Sequence, residues 1–484
     1  MRKQDNLVQF INSMAAAEKR FFREYIKKSE LKGGYINLFN ILEGAPKYNA
    51  EETAAKLGLS KKKLAHEKER LQQLVLRCSR LWTEHAGTEN TFELLNRVQE
   101  INLLTKRSLW AYAYDLGKSA AASALAQERY LHANMILNSN SECLAVLGDY
   151  AEAIQLKEAV IRNNRIIMEN DELSMLQLRL IEKLSTGRVE PSQFEFLPEH
   201  PLMKTPNNDL LSFNARMIQS ALWCYYYEDV QKDNDKLLHY VIKIYDLCLA
   251  CRNAPYFDAT QMAVAISHLS QVLSMQGRYP ESLQKLDELD EWLLQHKKKA
   301  PGIYKFERYS ELQRLVIYNN MGRFDATCEA AGAMVKVVKE DFLGYNEALL
   351  FYYAIALFHT GKNDMCLKVL QKLLSIESRT RQELLVPTRI LFIMAQYETG
   401  NLRLIPHMVK ALNAFLKRVH NKIQNGSNLF KLFSRLAKSD FKPMTPAQWS
   451  ALEKKIKDDD FSENIREVFI GRWLKRKCQH PAIL

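Results

Sequence analysis

Glycine and proline are scarce, with 17 and 13 of 484 residues, about half the usual share. So little turn chemistry excludes an all-β fold, which needs a reversal roughly every 8–12 residues. Cysteine is scarce as well: eight, at 78, 143, 224, 248, 251, 328, 366 and 478, too irregularly spaced for a disulfide framework. Long apolar runs are missing, the longest being the eleven residues Ala348 to Phe358, against the roughly twenty that a bilayer-spanning helix needs. The opening Met1-Arg2-Lys3-Gln4-Asp5-Asn6 leads into an amphipathic stretch with neither the apolar core nor the cleavage site of a signal peptide. Together these absences predict a cytoplasmic protein with no membrane insertion.

With 47% hydrophobic and 26% charged residues, the chain can bury a large core and stay in solution, which excludes disorder. Apolar positions recur at three and four in almost every segment longer than twelve residues, and no stretch keeps a period of two, so the fold class is all-α. Charge is uneven. Residues 1–85 hold 17 basic and 10 acidic side chains, residues 402–484 hold 17 and 7, and the remainder 34 and 39, giving +7, +10 and −5. The basic residues are interleaved with apolar ones at helical spacing, which reads as solvated helix faces rather than a nucleic-acid surface.

The chain repeats. Five helix-length segments end in a glycine turn and resume as helix: Leu147-Gly148-Asp149-Tyr150-Ala151-Glu152-Ala153, Gln276-Gly277-Arg278-Tyr279-Pro280-Glu281-Ser282, Met321-Gly322-Arg323-Phe324-Asp325-Ala326-Thr327, Thr360-Gly361-Lys362-Asn363-Asp364-Met365-Cys366 and Thr399-Gly400-Asn401-Leu402-Arg403-Leu404-Ile405. The last four glycines are 45, 39 and 39 residues apart. Glycine-free turns near Thr105-Lys106-Arg107 and Gln231-Lys232-Asp233-Asn234 fit the same rhythm. Each unit reads as two antiparallel helices, since a glycine past a helix end takes the left-handed conformation that reverses the chain. Two residues on, Tyr150, Tyr279 and Phe324 are placed to wedge between the helices; three further, Ala153, Ser282, Thr327 and Cys366 are small enough to let the backbones approach.

These turns resemble tetratricopeptide repeats over roughly residues 95–420. The resemblance implies an α-solenoid, a superhelix of hairpins with a concave ligand groove. The units are longer than that family's usual 34 residues, and Gly400 is followed by Leu402 and Ile405 where the family has an aromatic and a small residue.

The expected organisation is a helical head over 1–85, front repeats over 90–185, an irregular insertion over 186–208, rear repeats over 209–420 and C-terminal capping helices over 421–484. The insertion is expected because Pro191, Pro198, Pro201 and Pro206 break any long helix. In the head, Asn49 with Glu52 marks a helix start, and Leu57-Gly58-Leu59-Ser60 turns into a helix with the stripe Leu64, Leu71, Leu74, Val75, Cys78, Leu81. At the far end, Thr445-Pro446 starts a helix, and Ile465, Val468, Phe469, Trp473 and Leu474 share one side of another.

Catalytic motifs dissolve on inspection. Gly117-Lys118-Ser119 imitates a phosphate-binding loop but lacks the upstream glycine, Tyr112 standing there. His66-Glu67 begins a zinc-protease string that ends at Arg70 instead of His. Cys248-Leu249-Ala250-Cys251 has the spacing of a zinc half-site, yet only the isolated His239 and His268 lie near, so packing is the simpler reading. Asp458-Asp459-Asp460 reads as a helix cap. No enzyme, metal or cofactor is expected.

A non-enzymatic scaffold that binds a protein or peptide ligand is therefore the expectation. In the repeat frame the groove would show Gln271, Met275, Tyr309, Asn319, Asn320, Phe351, Phe358, His359, Met394 and Tyr397, with the Asn pair free to bond a ligand's backbone. The competing reading makes the aromatics interhelical core. The alternative function is a ligand-sensing transcriptional regulator whose head binds DNA. Ala54, Gly58 and Leu64 stand at helix-turn-helix positions, and Lys61, Lys62 and Lys63 open the would-be recognition helix. Glu67 occupies what should be a core position of that motif, and nucleic acid is not the expected partner.

Overall fold

The computed structural model describes residues 5–28, 34–43, 49–86, 90–185, 190–296, 304–337, 345–376, 384–419, 447, 450 and 470–479. Among them there is no strand, and consecutive helices pack on one another. Two compact units, 1–167 and 168–484, divide within one long helix.

The first unit opens with α1 (Asn6–Ser13), α2 (Ala16–Lys28), α3 (Gly34–Leu42), α4 (Ala50–Leu57) and α5 (Lys61–Ala86). The Asp5 carboxylate caps α1 by accepting the Leu7 and Val8 N–H groups at 3.1 and 3.4 Å, and Asn49 does the same for Glu51 and Glu52 on α4. Leu7, Ile11, Phe22, Ile26, Phe39, Leu64, Leu71, Val75 and Cys78 close a shared core, each large side chain contributing about 1.5–3 kcal/mol. Then follow α6 (Asn90–Lys106), α7 (Trp110–Ala126), α8 (Tyr130–Leu147) and α9 (Tyr150–Ser185).

One turn joins these helices. Gly148 is left-handed at φ 88°; its N–H bonds the Ala145 carbonyl, and the Asp149 N–H bonds Leu144. This double bond satisfies carbonyls that a helix end would otherwise leave open. Gly277, Gly322, Gly361 and Gly400 repeat it with φ between 74 and 78°. Ser108 and Glu128 repeat it without glycine, at φ 58 and 52°. In the first unit the turn thus closes every helix at residues 108, 128 and 148, not every second one. Five residues after six of these seven left-handed residues stand Ala113, Ala133, Ala153, Ser282, Thr327 and Cys366, all small and buried, and after Gly400 stands the larger Ile405; α6 also packs on α8. Close backbone approach at three of the small residues is visible as hydrogen bonds: the hydroxyls of Ser141 and Ser270 donate to the carbonyls of Ala153 and Ser282, and the Cys366 thiol to Ala354, over 3.0–3.3 Å.

In the second unit, which opens with the last part of α9, the proline-rich stretch follows. It forms one-turn pieces, Pro191–Phe194, α10 (Phe196–Glu199), α11 (Pro201–Lys204) and Asn207–Asp209, with Pro191 and Pro201 at helix starts where a missing N–H costs nothing. Phe194, Leu197, Met203 and Leu210 pin it to Leu173, Leu176 and Leu180 of α9. Then come α12 (Phe213–Tyr225), α13 (Asn234–Cys251), α14 (Ala259–Met275), α15 (Tyr279–His296), α16 (Tyr304–Met321), α17 (Phe324–Val337), α18 (Tyr345–His359), α19 (Asn363–Leu374), α20 (Leu385–Glu398), α21 (Ile405–Val419) and α22 (Arg472–Gln479). Besides packing on its neighbour in sequence, α14 touches α16, α16 touches α18 and α18 touches α20. The turn after α12 widens into a π-helical segment, Tyr226–Gln231, closed by left-handed Lys232 and a bond from the Asp233 N–H to the Tyr227 carbonyl. No helix among the described residues is long and apolar enough to cross a membrane.

Candidate functional site

Of the expected groove residues of the second unit, Phe351, Phe358, Met394, Tyr397 and the Asn pair are buried, Gln271, Tyr309 and His359 are half-buried, and Met275 is exposed. Phe351, Phe358, Met394 and Tyr397 lie in one buried cluster with Trp473 and Leu474 of α22. Asn319, also buried, donates from Nδ2 to the Tyr352 carbonyl of α18 at 3.1 Å, and Asn320 is buried beside it. Both amides, expected in an open groove, are buried: Asn319 Nδ2 joins two helices of this chain, while Asn319 Oδ1 and Asn320 Nδ2 have no hydrogen-bond partner among the described residues. Gln271 is half-buried and accepts the Tyr309 hydroxyl at 3.3 Å.

The chain's own helix α22 lies across the C-terminal ends of α16, α18 and α20. Arg472 donates to the Asn320 carbonyl at 2.6 Å, and its guanidinium lies over the Phe324 ring. Arg476 donates to the His359 carbonyl at 3.1 Å and faces its Nδ1 at 2.9 Å. Lys477 pairs with Glu398 at 2.9 Å, and the Trp473 indole N–H donates to the same carboxylate at 2.6 Å. Three cations therefore sit where three helix macrodipoles are negative. Burial pushes Arg476 below the ordinary guanidinium range, with the Glu398 charge opposing that shift. Phe324 stacks on His359 at 4.4 Å, so the turn aromatic of one hairpin meets the helix end of the next. Of the other expected wedges, Tyr279 is half-buried and Tyr150 is 66% exposed. The cap at Thr445-Pro446, the triplet Asp458–Asp460 and Ile465, Val468 and Phe469 lie outside the described residues.

The remaining candidates resolve one by one. Lys61, Lys62 and Lys63 are exposed at the start of α5, which runs 26 residues, and Lys61 pairs with Glu51 of α4. Gly117 is buried within α7, against the Asn140 side chain of α8; a Cβ there would come within 1.9 Å of its Oδ1, so this glycine serves helix packing. Cys248 is fully buried, which pushes its thiol up to about 12. No group of three or more His, Cys, Asp or Glu among the described residues is placed to hold a metal.

A surface that the repeat frame missed lies on the first unit. The bonds Ser141 to Ala153, Lys157 to Asn138, and Asn134 with Asn163 and Asn164 fix the antiparallel register of α8 and α9. In that register Met135 is level with Ile161, and Val146 with Tyr150. Leu131, Met135 and Val146 share one face of α8, and Tyr150, Ile154 and Ile161 one face of α9. All six are between 43 and 66% exposed. The signal was readable: the inward face of α8 carries Asn134, Asn140 and Ser141, so its apolar residues are divided between two sides.

Compared with family models, curated proteins and solved structures, the chain matches none.

Proposed function

We propose that the protein is a non-enzymatic scaffold of tetratricopeptide-like helix hairpins that binds a protein or peptide partner. The recurring left-handed turn, the small residue five positions later and the contacts of α14 with α16, α16 with α18 and α18 with α20 support the hairpin-repeat reading. Seven described cysteines are free thiols, which suits a reducing compartment such as the cytoplasm.

The observation that carries the binding role is the apolar face of α8 and α9. Six large side chains on two adjacent helices face water, whereas a soluble monomer normally scatters its exposed apolar residues singly. Lys157 and Asn138, bonded to each other between the two rows, give the face a polar spine that would orient an incoming helix. The docking of α22 on the second unit shows the kind of contact this chain makes with a short helix: an indole, three cations and helix-end carbonyls.

Affinity capture with the full chain tests the reading. Met135→Glu with Ile161→Glu places two charges on the face without touching the core. Loss of a retained protein at unchanged melting temperature is expected; undiminished retention would move the binding site elsewhere.

A further inference from the structure

On α5 the charges are sorted. Lys62, Lys63, His66, Arg70, Gln73, Arg77 and Arg80 are all exposed, and at 100° per residue they fall within an arc of about 100°. Leu64, Leu71, Val75 and Cys78, which anchor the helix in the head's core, occupy another side. From Lys62 to Arg80 the stripe runs about 27 Å at 1.5 Å per residue. Glu67 and Glu69 border it.

Elsewhere in the head, five cations are paired where they stand, while Arg20, Lys27 and Lys28 on α2 are exposed without an ion pair among the described residues. Lys19 and Arg23 pair with Glu43, Lys56 with Glu52, Lys61 with Glu51 and Lys68 with Asp5. The side chains of Lys62, Lys63, Arg70, Arg77 and Arg80 have no such partner among the described residues. Five cations without an ion pair, in line on a helix held by the head's core, form a pre-organised positive rod that an anion from outside would stabilise.

We infer that this stripe is a docking surface for the phosphodiester backbone of duplex DNA. Three of the five cations are arginines, whose planar fork meets phosphate oxygens bidentately. A duplex is itself straight over 27 Å, about eight base pairs at 3.4 Å, and its major groove accepts a helix of this diameter. The stripe carries no Phe, Tyr or Trp and only His66 as a ring for stacking unpaired bases, which disfavours single strands. It is convex and has no row of exposed apolar residues, which disfavours a membrane-inserting mode. The turn from α4 through Gly58 into α5 leaves the first two lysines at the end of the rod that enters a groove in helix-turn-helix proteins. Backbone contact of this kind is sequence-independent and stands apart from the partner-binding face of α8 and α9.

The test uses the full chain and a fluorescent 25-base-pair DNA of random sequence, read by anisotropy from 50 to 200 mM salt. Micromolar binding at 50 mM is expected, with log K falling against log salt at a slope of about −4, as for four or five phosphates. Arg70→Glu with Arg77→Glu and Arg80→Glu should weaken it at least tenfold, and Lys56→Gln, at a paired cation, less than twofold. If the triple variant loses its helical spectrum, Arg77→Gln and Arg80→Gln singly should each reduce the slope by about one. Absence of saturable binding at 50 mM, equal binding by the charge variants, or tighter binding to phosphatidylserine vesicles, polyglutamate or a matched RNA duplex would overturn the inference.

Discussion

Gly322 and Gly361 occupy the same turn in consecutive hairpins, with φ 78 and 75°, yet their surroundings differ. A Cβ on Gly361 meets nothing within 4 Å, so Gly361→Ala carries only the left-handed penalty, about 1 kcal/mol. A Cβ on Gly322 would stand 2.2 Å from Nη1 of Arg472. The guanidinium swings away easily, but it then gives up its bond to the Asn320 carbonyl and its place over Phe324. A charge-assisted bond contributes about 1.5–3 kcal/mol when buried; Arg472 is half-buried, so about 1 kcal/mol is the reasonable share. Gly322→Ala should therefore cost about 2 kcal/mol against about 1 for Gly361→Ala. Denaturant midpoints followed by helical circular dichroism measure both, first in the natural chain and then with Arg472→Ala. In that background the excess should vanish, because the displaced group is gone. Equal costs in the natural chain, or an excess that survives removal of Arg472, would refute the docking of α22 across these helix ends.

Three further outcomes follow from burial. Gly117→Ala should destabilise the first unit by about 1–3 kcal/mol, since the new methyl overlaps Asn140 between α7 and α8, and a melt that is unchanged would contradict that packing. Asn319→Ala should lower the melting temperature through loss of the bond to Tyr352, a cost of about 1 kcal/mol. Burial lowers the His268 pKa, so the folded state resists taking the proton that the unfolded chain accepts below about 6.5. Stability from this group is whole above that pH and is lost as pH falls through the folded value, so His268→Gln should flatten the decline in melting temperature between pH 7 and 5. Glu228, 3.9 Å away with its carboxyl raised by burial, pulls the opposite way and is common to both proteins in the comparison.

Helix content and the glycine turns were legible because both depend on local chemistry: apolar spacing and a conformation that favours glycine. The glycine-free turns expected near residues 105–107 and 231–234 are closed by left-handed Ser108 and Lys232, whereas the turn at Glu128 was missed, as it takes the left-handed form without the residue that announces it. The pattern around Ser108 and Glu128 was nonetheless present, Trp110 and Ala113 after the first, Tyr130 and Ala133 after the second, and reading it without requiring glycine would have found the twenty-residue spacing. The groove was harder. Which helix face is open depends on what packs there, and α22 arrives from more than a hundred residues away, with Arg472 reaching Asn320 and Arg476 reaching His359. On α8 the polar inward residues Asn134, Asn140 and Ser141 signalled that apolar residues fall on two sides, but not which side is outermost. Only the register fixed by Asn138 with Lys157 and Ser141 with Ala153 places Leu131, Met135 and Ile161 on the outside.

The binding role of the α8 and α9 face is tested most directly by photo-crosslinking in the native host. A photoreactive residue is placed at Met135, Ile154 or Ile161, all on the exposed rows, and for comparison at Lys118, an exposed position on α7. The account predicts one discrete adduct of the same mass from the three face positions and none from Lys118. No adduct from the face, or the same adducts from all four positions, would contradict it.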